Sequence, residues 1–216
     1  MPSTWCKAAG TPVFPPHRDP SGPCELSRLL RAQPHRASVE WPAGFAGGIA
    51  HRLDVPTSGA LWVAHDFEEL AQMRRWFAAG ALSKRYVFEA CKDVPWDENS
   101  VELALAHHKR NRTKMVVQRG KNTEHRGKWY PANTQLRRLQ GRFWEAVIIT
   151  GVTHQIRAHA AFVGLPLRGD PRYGGGPPIS EEVPFHLHHL GLRGPGCATD
   201  PVPLPSWAHP AARALR

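Results

Sequence analysis

The chain has 216 residues, 41% of them hydrophobic and 21% charged, which suits an ordinary globular protein and excludes a wholly disordered or fibrous one. Its 28 lysines and arginines outweigh 18 aspartates and glutamates, for a net charge of +10 with histidines neutral. That excess is spread along the chain and favours a polyanionic partner, nucleic acid first, over solubility alone. Cys6, Cys24, Cys91 and Cys197 are widely separated and form no C-x-x-C pair, so neither a zinc knuckle nor a disulfide framework is suggested and a reducing cytoplasm fits. Apolar stretches such as 60–64 are too short to span a bilayer, and the first ten residues carry no long apolar run. The expectation is a cytoplasmic chain forming one domain over residues 1–216, monomeric because its surface carries so much like charge.

Five prolines between Thr11 and Pro23 forbid a helix and predict an extended arm, after which residues 26–32 read as a short helix. Gly44, Gly47 and Gly48 lead into His51-Arg52-Leu53-Asp54-Val55-Pro56-Thr57-Ser58-Gly59 and the apolar run 60–64, a loop feeding a buried strand. Asp66 with Glu69 predicts a capped helix start, helical spacing continues through Phe77, and Gly80 closes it. Residues 85–90 have strand composition, and 134–140 and 142–150 read as two strands joined tightly at Gly141. Thr153 is expected to cap a helix running to Val163, stopped by Gly164. The basic stretch 107–126 reads as an RNA-facing surface or a solvated loop, and the proline-rich tail 194–210 as an extended segment.

An isolated acid in a turn, such as Asp54, reads from local composition alone as a backbone-bonding turn residue ahead of a nucleophile or base. Three further segments bear on that choice: Lys84-Arg85-Tyr86, then Gly151-Val152-Thr153-His154-Gln155-Ile156-Arg157, then Gly164-Leu165-Pro166-Leu167-Arg168-Gly169-Asp170-Pro171-Arg172-Tyr173-Gly174. In this order the four segments resemble the RluA-type pseudouridine synthases, which carry H-R-L-D-x-x-T-S-G, K-x-Y, G-R-T-H-Q-I-R and G-x-P-x-x-G-D-x-x-Y-G. Lys7-Ala8-Ala9-Gly10 and His186-Leu187-His188-His189-Leu190 are similar to that family's K-P-A-G turn and L-H-A-x-x-L strand. Three departures stand out: Val152 occupies a family arginine position, only six residues precede Lys7, and no separate N-terminal RNA-binding module is apparent.

The resemblance implies an α+β fold, a mixed and mostly antiparallel central sheet with flanking helices and loops around an RNA-binding cleft. It implies isomerisation of specific uridines to pseudouridine in ribosomal or transfer RNA, with RNA rather than DNA as partner and no cofactor or metal required. By the same resemblance Asp54 is the catalytic carboxylate, Arg157 its ion-pair partner, and Tyr86 the ring that stacks on the uracil. Ile156 would line the apolar wall, and Arg52 would fill the place of a flipped-out base. His51, Thr57, His154 and Gln155, from the same motifs, would lie against substrate. Arg110 and Arg112 would grip the RNA backbone, with affinity falling as salt rises. His186, His188, His189 and Cys197 lack the spacing of a zinc site. Two other function classes remain: a non-catalytic RNA-binding protein of the same fold, and a glycosidase-like hydrolase, which wants a second carboxylate that only Asp66 offers nearby.

Overall fold

A computed structural model describes residues 2–215. In chain order the elements are β1 (Ser3–Lys7), α1 (Glu25–Ala32), β2 (Ser58–Val63), α2 (Phe67–Ala78), β3 (Ser83–Glu89), β4 (Glu98–Val101), β5 (Leu105–His108), β6 (Met115–Val117), β7 (His125–Tyr130), β8 (Thr134–Gln140), β9 (Phe143–Ile148), α3 (Gln155–Phe162), β10 (Leu187–Gly194) and β11 (Cys197–Ala198). They fall into two compact units, one made of the chain up to Lys84 with His188–Leu204, the other of Arg85–Leu187 with the segment from Pro205.

In the first unit β2 lies between β1, antiparallel to it, and β10, parallel to it. A strand flanked on both sides and covered on both faces reads as a continuous apolar run, and Gly59 to Val63 are all buried. The arm 11–23 is irregular as expected, and α1 begins at Cys24, whose Sγ accepts from the Ser27 N–H. At α2 the Asp66 carboxylate accepts from the Glu69 N–H at 2.8 Å, while the Glu69 carboxylate reaches back to the His65 N–H at 2.8 Å. The box therefore closes one residue earlier than the usual capping box. Leu70 and Met73 of α2 pack with Trp62, Leu82 and Leu192 into this unit's core.

The second unit carries the run β3-β9-β8-β4, in which β9–β8 and β8–β4 pair antiparallel, and an antiparallel three-stranded sheet β6-β5-β7. The basic stretch 107–126 is thus no open loop. Leu105, Met115 and Val117 alternate inward against Ala158 of α3, and the cations crowd the turns between strands, so packing overrides the polar composition. A second correction concerns α3. Its N-cap is His154, in the left-handed region at φ 54, and not Thr153. No side chain caps it in the usual way; instead the Gln155 amide folds back to accept from the Val152 N–H at 3.1 Å and to donate to Asn133 O at 2.8 Å. The tail is extended only in part, since β11 and a 3-10 segment, Ser206–Leu215, interrupt it. All four cysteines are free.

Gly59 has φ +121, and a Cβ there would stand 2.1 Å from the carbonyl oxygen of His189 on β10. The glycine of the T-S-G triplet is therefore fixed by strand approach. Gly59→Ala is expected to cost about 3 kcal/mol or more, lowering the melting temperature by roughly 6–12 °C in thermal unfolding; an unchanged melting temperature would show that β10 yields at this point.

Candidate functional site

In the first unit the loop 50–57 carries Asp54, half-buried, with Leu53 buried beneath it. The loop is closed by a turn in which the Thr57 N–H donates to Asp54 O at 3.0 Å, and the Gly10 N–H donates to Val55 O at 3.0 Å. Its clamp is Lys7. This fully buried ammonium donates to Ala8 O at 2.8 Å, Val55 O at 2.9 Å and Thr57 O at 2.7 Å, using its three N–H bonds on one carbonyl of the K-A-A-G turn and two that follow Asp54. Burial lowers the pKa of Lys7 to about 8, against the upward pull of the Glu25 and Asp54 charges.

Glu25 is the second fixed charge under this loop. Fully buried, it accepts from Trp5 Nε1 at 2.9 Å, from the Ala8 N–H at 3.0 Å and from Arg28 Nη1 at 2.8 Å. Sequence reasoning gave neither Lys7 nor Glu25 a role. The signal available was the K-A-A-G turn itself, whose lysine begins a loop yet ends buried.

Several residues expected against substrate have structural duties here. His51 uses Nε2 to accept from the Trp62 N–H at 3.0 Å, and its ring packs on Phe77 and His189, centroids 5.7 and 5.6 Å away. Burial holds its pKa well below the usual histidine value, so it is neutral at pH 7. Thr57 is 2% exposed and serves the turn. Arg52 differs: its side chain is exposed and has no hydrogen-bond or ion-pair partner among the described residues.

In the second unit Arg157, on the first turn of α3, is held by Asp170 through two parallel bonds, Nε to Oδ2 at 2.7 Å and Nη2 to Oδ1 at 2.9 Å. Both side chains are buried, Asp170 completely. The guanidinium also lies over the rings of Phe185 at 4.6 Å and Tyr173 at 5.1 Å, which fixes its plane as well as its position. Tyr173 is in turn fixed by its hydroxyl, which accepts from the Met115 N–H at 2.9 Å and meets His154 Nδ1 at 3.0 Å. Burial raises the Tyr173 pKa to about 12, so the phenol stays protonated.

Ile156 is buried beside Arg157, and Tyr86 is buried on β3. Gln155 departs from expectation. It is 2% exposed and its amide accepts from Thr150 Oγ1 and the Val152 N–H while donating to Asn133 O and Thr134 Oγ1. An amide used on both atoms inside the chain positions the helix start and has no capacity left for RNA. His154 likewise spends Nδ1 on Tyr173. Arg110 and Arg112 are exposed in the turn between β5 and β6. His186 bonds Glu89, His188 bonds Ser58 and His189 bonds Ala60 O, each through Nδ1, and no group of three or more His, Cys, Asp and Glu able to hold a metal occurs among the described residues.

Residues 3–162 match the family described as RNA pseudouridylate synthase. This chain belongs to the RNA pseudouridylate synthase family. A ribosomal large subunit pseudouridine synthase D of Nitrosomonas europaea is 33% identical over 78% of this chain and 46% of its own length. A chloroplastic RNA pseudouridine synthase 2 of Oryza sativa subsp. japonica is 34% identical over 59% of this chain and 29% of its own length. The chain thus spans less than half of either relative. The solved structure of human RNA Pseudouridylate Synthase Domain Containing 4 is similar with a TM-score of 0.70, at 22% identity, covering 99% of this chain and 89% of that one, and it shows the fold. The α+β, mostly antiparallel pseudouridine synthase fold expected from the motifs is the one observed. No helix among the described residues is long and apolar enough to cross a membrane.

Two outcomes follow from the buried Lys7 and Arg157. The folded Lys7 loses its proton near pH 8 while the unfolded side chain keeps it to 10.5, so the unfolded state binds more protons between those values and stability rises with pH there. The melting temperature is therefore expected to rise between pH 8 and 10.5, and the rise should persist in Lys84→Met, which removes the other lysine whose pKa burial lowers to about 8. A melting temperature that stays level across that window would remove Lys7 from this role. Asp170→Asn turns an N–H donor towards the Arg157 guanidinium and removes the buried carboxylate charge beside it, at an expected cost of about 3 kcal/mol in urea unfolding; a loss under about 0.5 kcal/mol, the ordinary surface value, would refute the clamp.

Proposed function

We propose that this chain isomerises uridine to pseudouridine in RNA, with Asp54 as the reacting carboxylate. The observation that carries this reading is the Lys7 clamp: an acid in a short turn has the carbonyls one and three residues after it fixed by a buried ammonium, an expense of burial out of proportion to a solvent-exposed turn. The reaction breaks the bond from C1′ to N1 of uracil, turns the detached base, joins C1′ to C5, and releases the C5 proton while N1 takes one up. Atoms balance without a redox step. The chemistry asks for an ionised carboxylate, a place to keep the free base, and the exclusion of water that would turn isomerisation into hydrolysis.

Arg157 supplies the positive charge that such a carboxylate needs in a dry site. Its immobilisation by Asp170, Tyr173 and Phe185 suits that task, since a guanidinium already fixed requires no reordering when charge develops. Tyr86 offers a ring for the uracil and Ile156 an apolar wall. Because a stacked base cannot reach a carboxylate, the uridine leaves its helix, and the unpartnered Arg52 takes the vacated space. Arg110 and Arg112 hold the phosphate backbone. The chain acts as one catalytic domain, and the ribosomal large subunit enzymes among its relatives favour ribosomal over transfer RNA as substrate.

The test is release of tritium from under-modified RNA labelled at uridine C5, with Asp54→Asn alongside. Release by the unaltered protein, and a fall of about a thousandfold or more in the variant, is the expected result. Absence of release from both proteins, with salt-sensitive RNA binding retained, would instead identify a non-catalytic RNA-binding protein.

A further inference from the structure

The first unit contains a cavity of about 540 Å³ lined by Phe45, Ala50, Ala71, Arg74, Phe77 and the neighbouring Arg75 and Ala78. Its size is within the range of small-ligand clefts, about 300–1,000 Å³. Its lining combines two aromatic rings and two guanidinium groups, and no acidic side chain lines it among the described residues. Arg74 lies over the Phe45 ring at 4.8 Å, and Lys84 Nζ lies 5.5 Å from the centre of the Phe77 ring. Arg75 is steadied by Gln72, Nη2 to Oε1 at 2.6 Å.

Both rings are only partly buried although they pack against the core, so each keeps a face or edge towards the cavity. Flat apolar faces beside cations and away from acids recognise a base and its phosphate together. A purely apolar ligand would leave both arginines without complement, and an acidic peptide would make no use of the rings. We propose that this cavity is a second RNA subsite, which takes one unpaired nucleotide of the substrate strand, its base against Phe45 and Phe77 and its phosphate on Arg74 and Arg75.

The cavity is tied to the loop of Asp54. Ala50 lines it and stands four residues before Asp54, a reach of at most about 14 Å of extended chain. His51, the next residue, packs its ring on Phe77. A nucleotide seated here therefore fixes the strand close to the reacting carboxylate, and it selects substrates with an unpaired neighbour. The inference rests on RNA being the substrate.

The experiment measures binding of an unmodified large-subunit rRNA transcript in the Asp54→Asn background, so that affinity is read without turnover. Phe45→Leu, which keeps most of the packing volume, and Arg74→Gln, on an exposed helix position, are each expected to weaken binding about tenfold. Arg74→Gln should also reduce the slope of log affinity against log salt by about one. RNA carrying 5-iodouridine should crosslink to Phe45 or Phe77, as located by mass spectrometry. With Asp54 intact, the same variants should raise KM while leaving the rate at saturating RNA unchanged. Unchanged affinity in both variants, or crosslinks confined to other segments, overturns the subsite. So does binding of uridine monophosphate at Phe45 without any effect of the variants on RNA affinity, which would make the cavity a mononucleotide site. Tritium release tests the isomerase separately: its absence alongside weakened RNA binding in the variants would leave the subsite standing and remove the enzyme.

Discussion

The ammonium of Lys7 is the interaction on which the Asp54 loop depends. A short loop between a strand end and β2 has few hydrogen bonds of its own, and buried carbonyls left unpaired would cost about 1–3 kcal/mol each. Lys7 satisfies the carbonyls of Ala8, Val55 and Thr57 at once, and Glu25 below it supplies negative charge while accepting the Ala8 N–H. The price is a desolvated cation, visible in a pKa lowered to about 8. Replacing this arrangement with apolar packing would satisfy none of the carbonyls, so the charge is retained for the shape it imposes on the loop.

Arg157 solves a different problem with a different group. Its guanidinium is planar and donates two parallel hydrogen bonds to Asp170, which fixes its direction while Tyr173 and Phe185 fix its plane. A lysine could reproduce the charge but not the plane. The support extends outward: Tyr173 is held by Met115 of β6, and α3 is held at its start by Gln155, so the three-stranded sheet that looks like a basic loop in sequence becomes part of what aims the arginine. The histidine at φ 54 that opens α3 allows Gln155 to turn back in this way.

The elements with a local cause were legible in the sequence. Asp66 announced α2, the apolar run announced β2, and Gly141 announced the β8–β9 turn, because each rests on residues adjacent in the chain. The failures share an opposite origin. The strands of 105–130 are set by α3 packing on Leu105, Met115 and Val117, which no window of the sequence contains. Thr153 is expected to cap α3 because threonine is a capping type, yet the helix start is held by the long amide of Gln155, which reaches four partners that come from β8, the residue before it and the turn ahead of α3. Of the candidate site, the motif residues were legible and their supports were not: Lys7, Glu25 and Tyr173 acquire meaning only from carbonyls, amides and rings far away in the chain.

The cations of this chain divide by burial into two kinds of work, and net charge alone misstates both. Lys7, Arg36 and Arg157 are buried and spend their donors on carbonyls or on Asp170, so they add to the +10 without offering anything to a polyanion. Arg52, Arg110, Arg112 and Arg74 are exposed and can neutralise phosphate, so on the proposed reading they are among the cations that a salt titration of RNA binding would count. A slope of log affinity against log salt corresponds to about 0.7–0.9 per phosphate neutralised, so the number of exposed arginines in contact, and not the formal charge, sets it. The buried group governs geometry and should leave that slope untouched when altered. Separation of the two effects in one measurement follows from where each cation lies, and the sequence, which counts them alike, carries no trace of the difference.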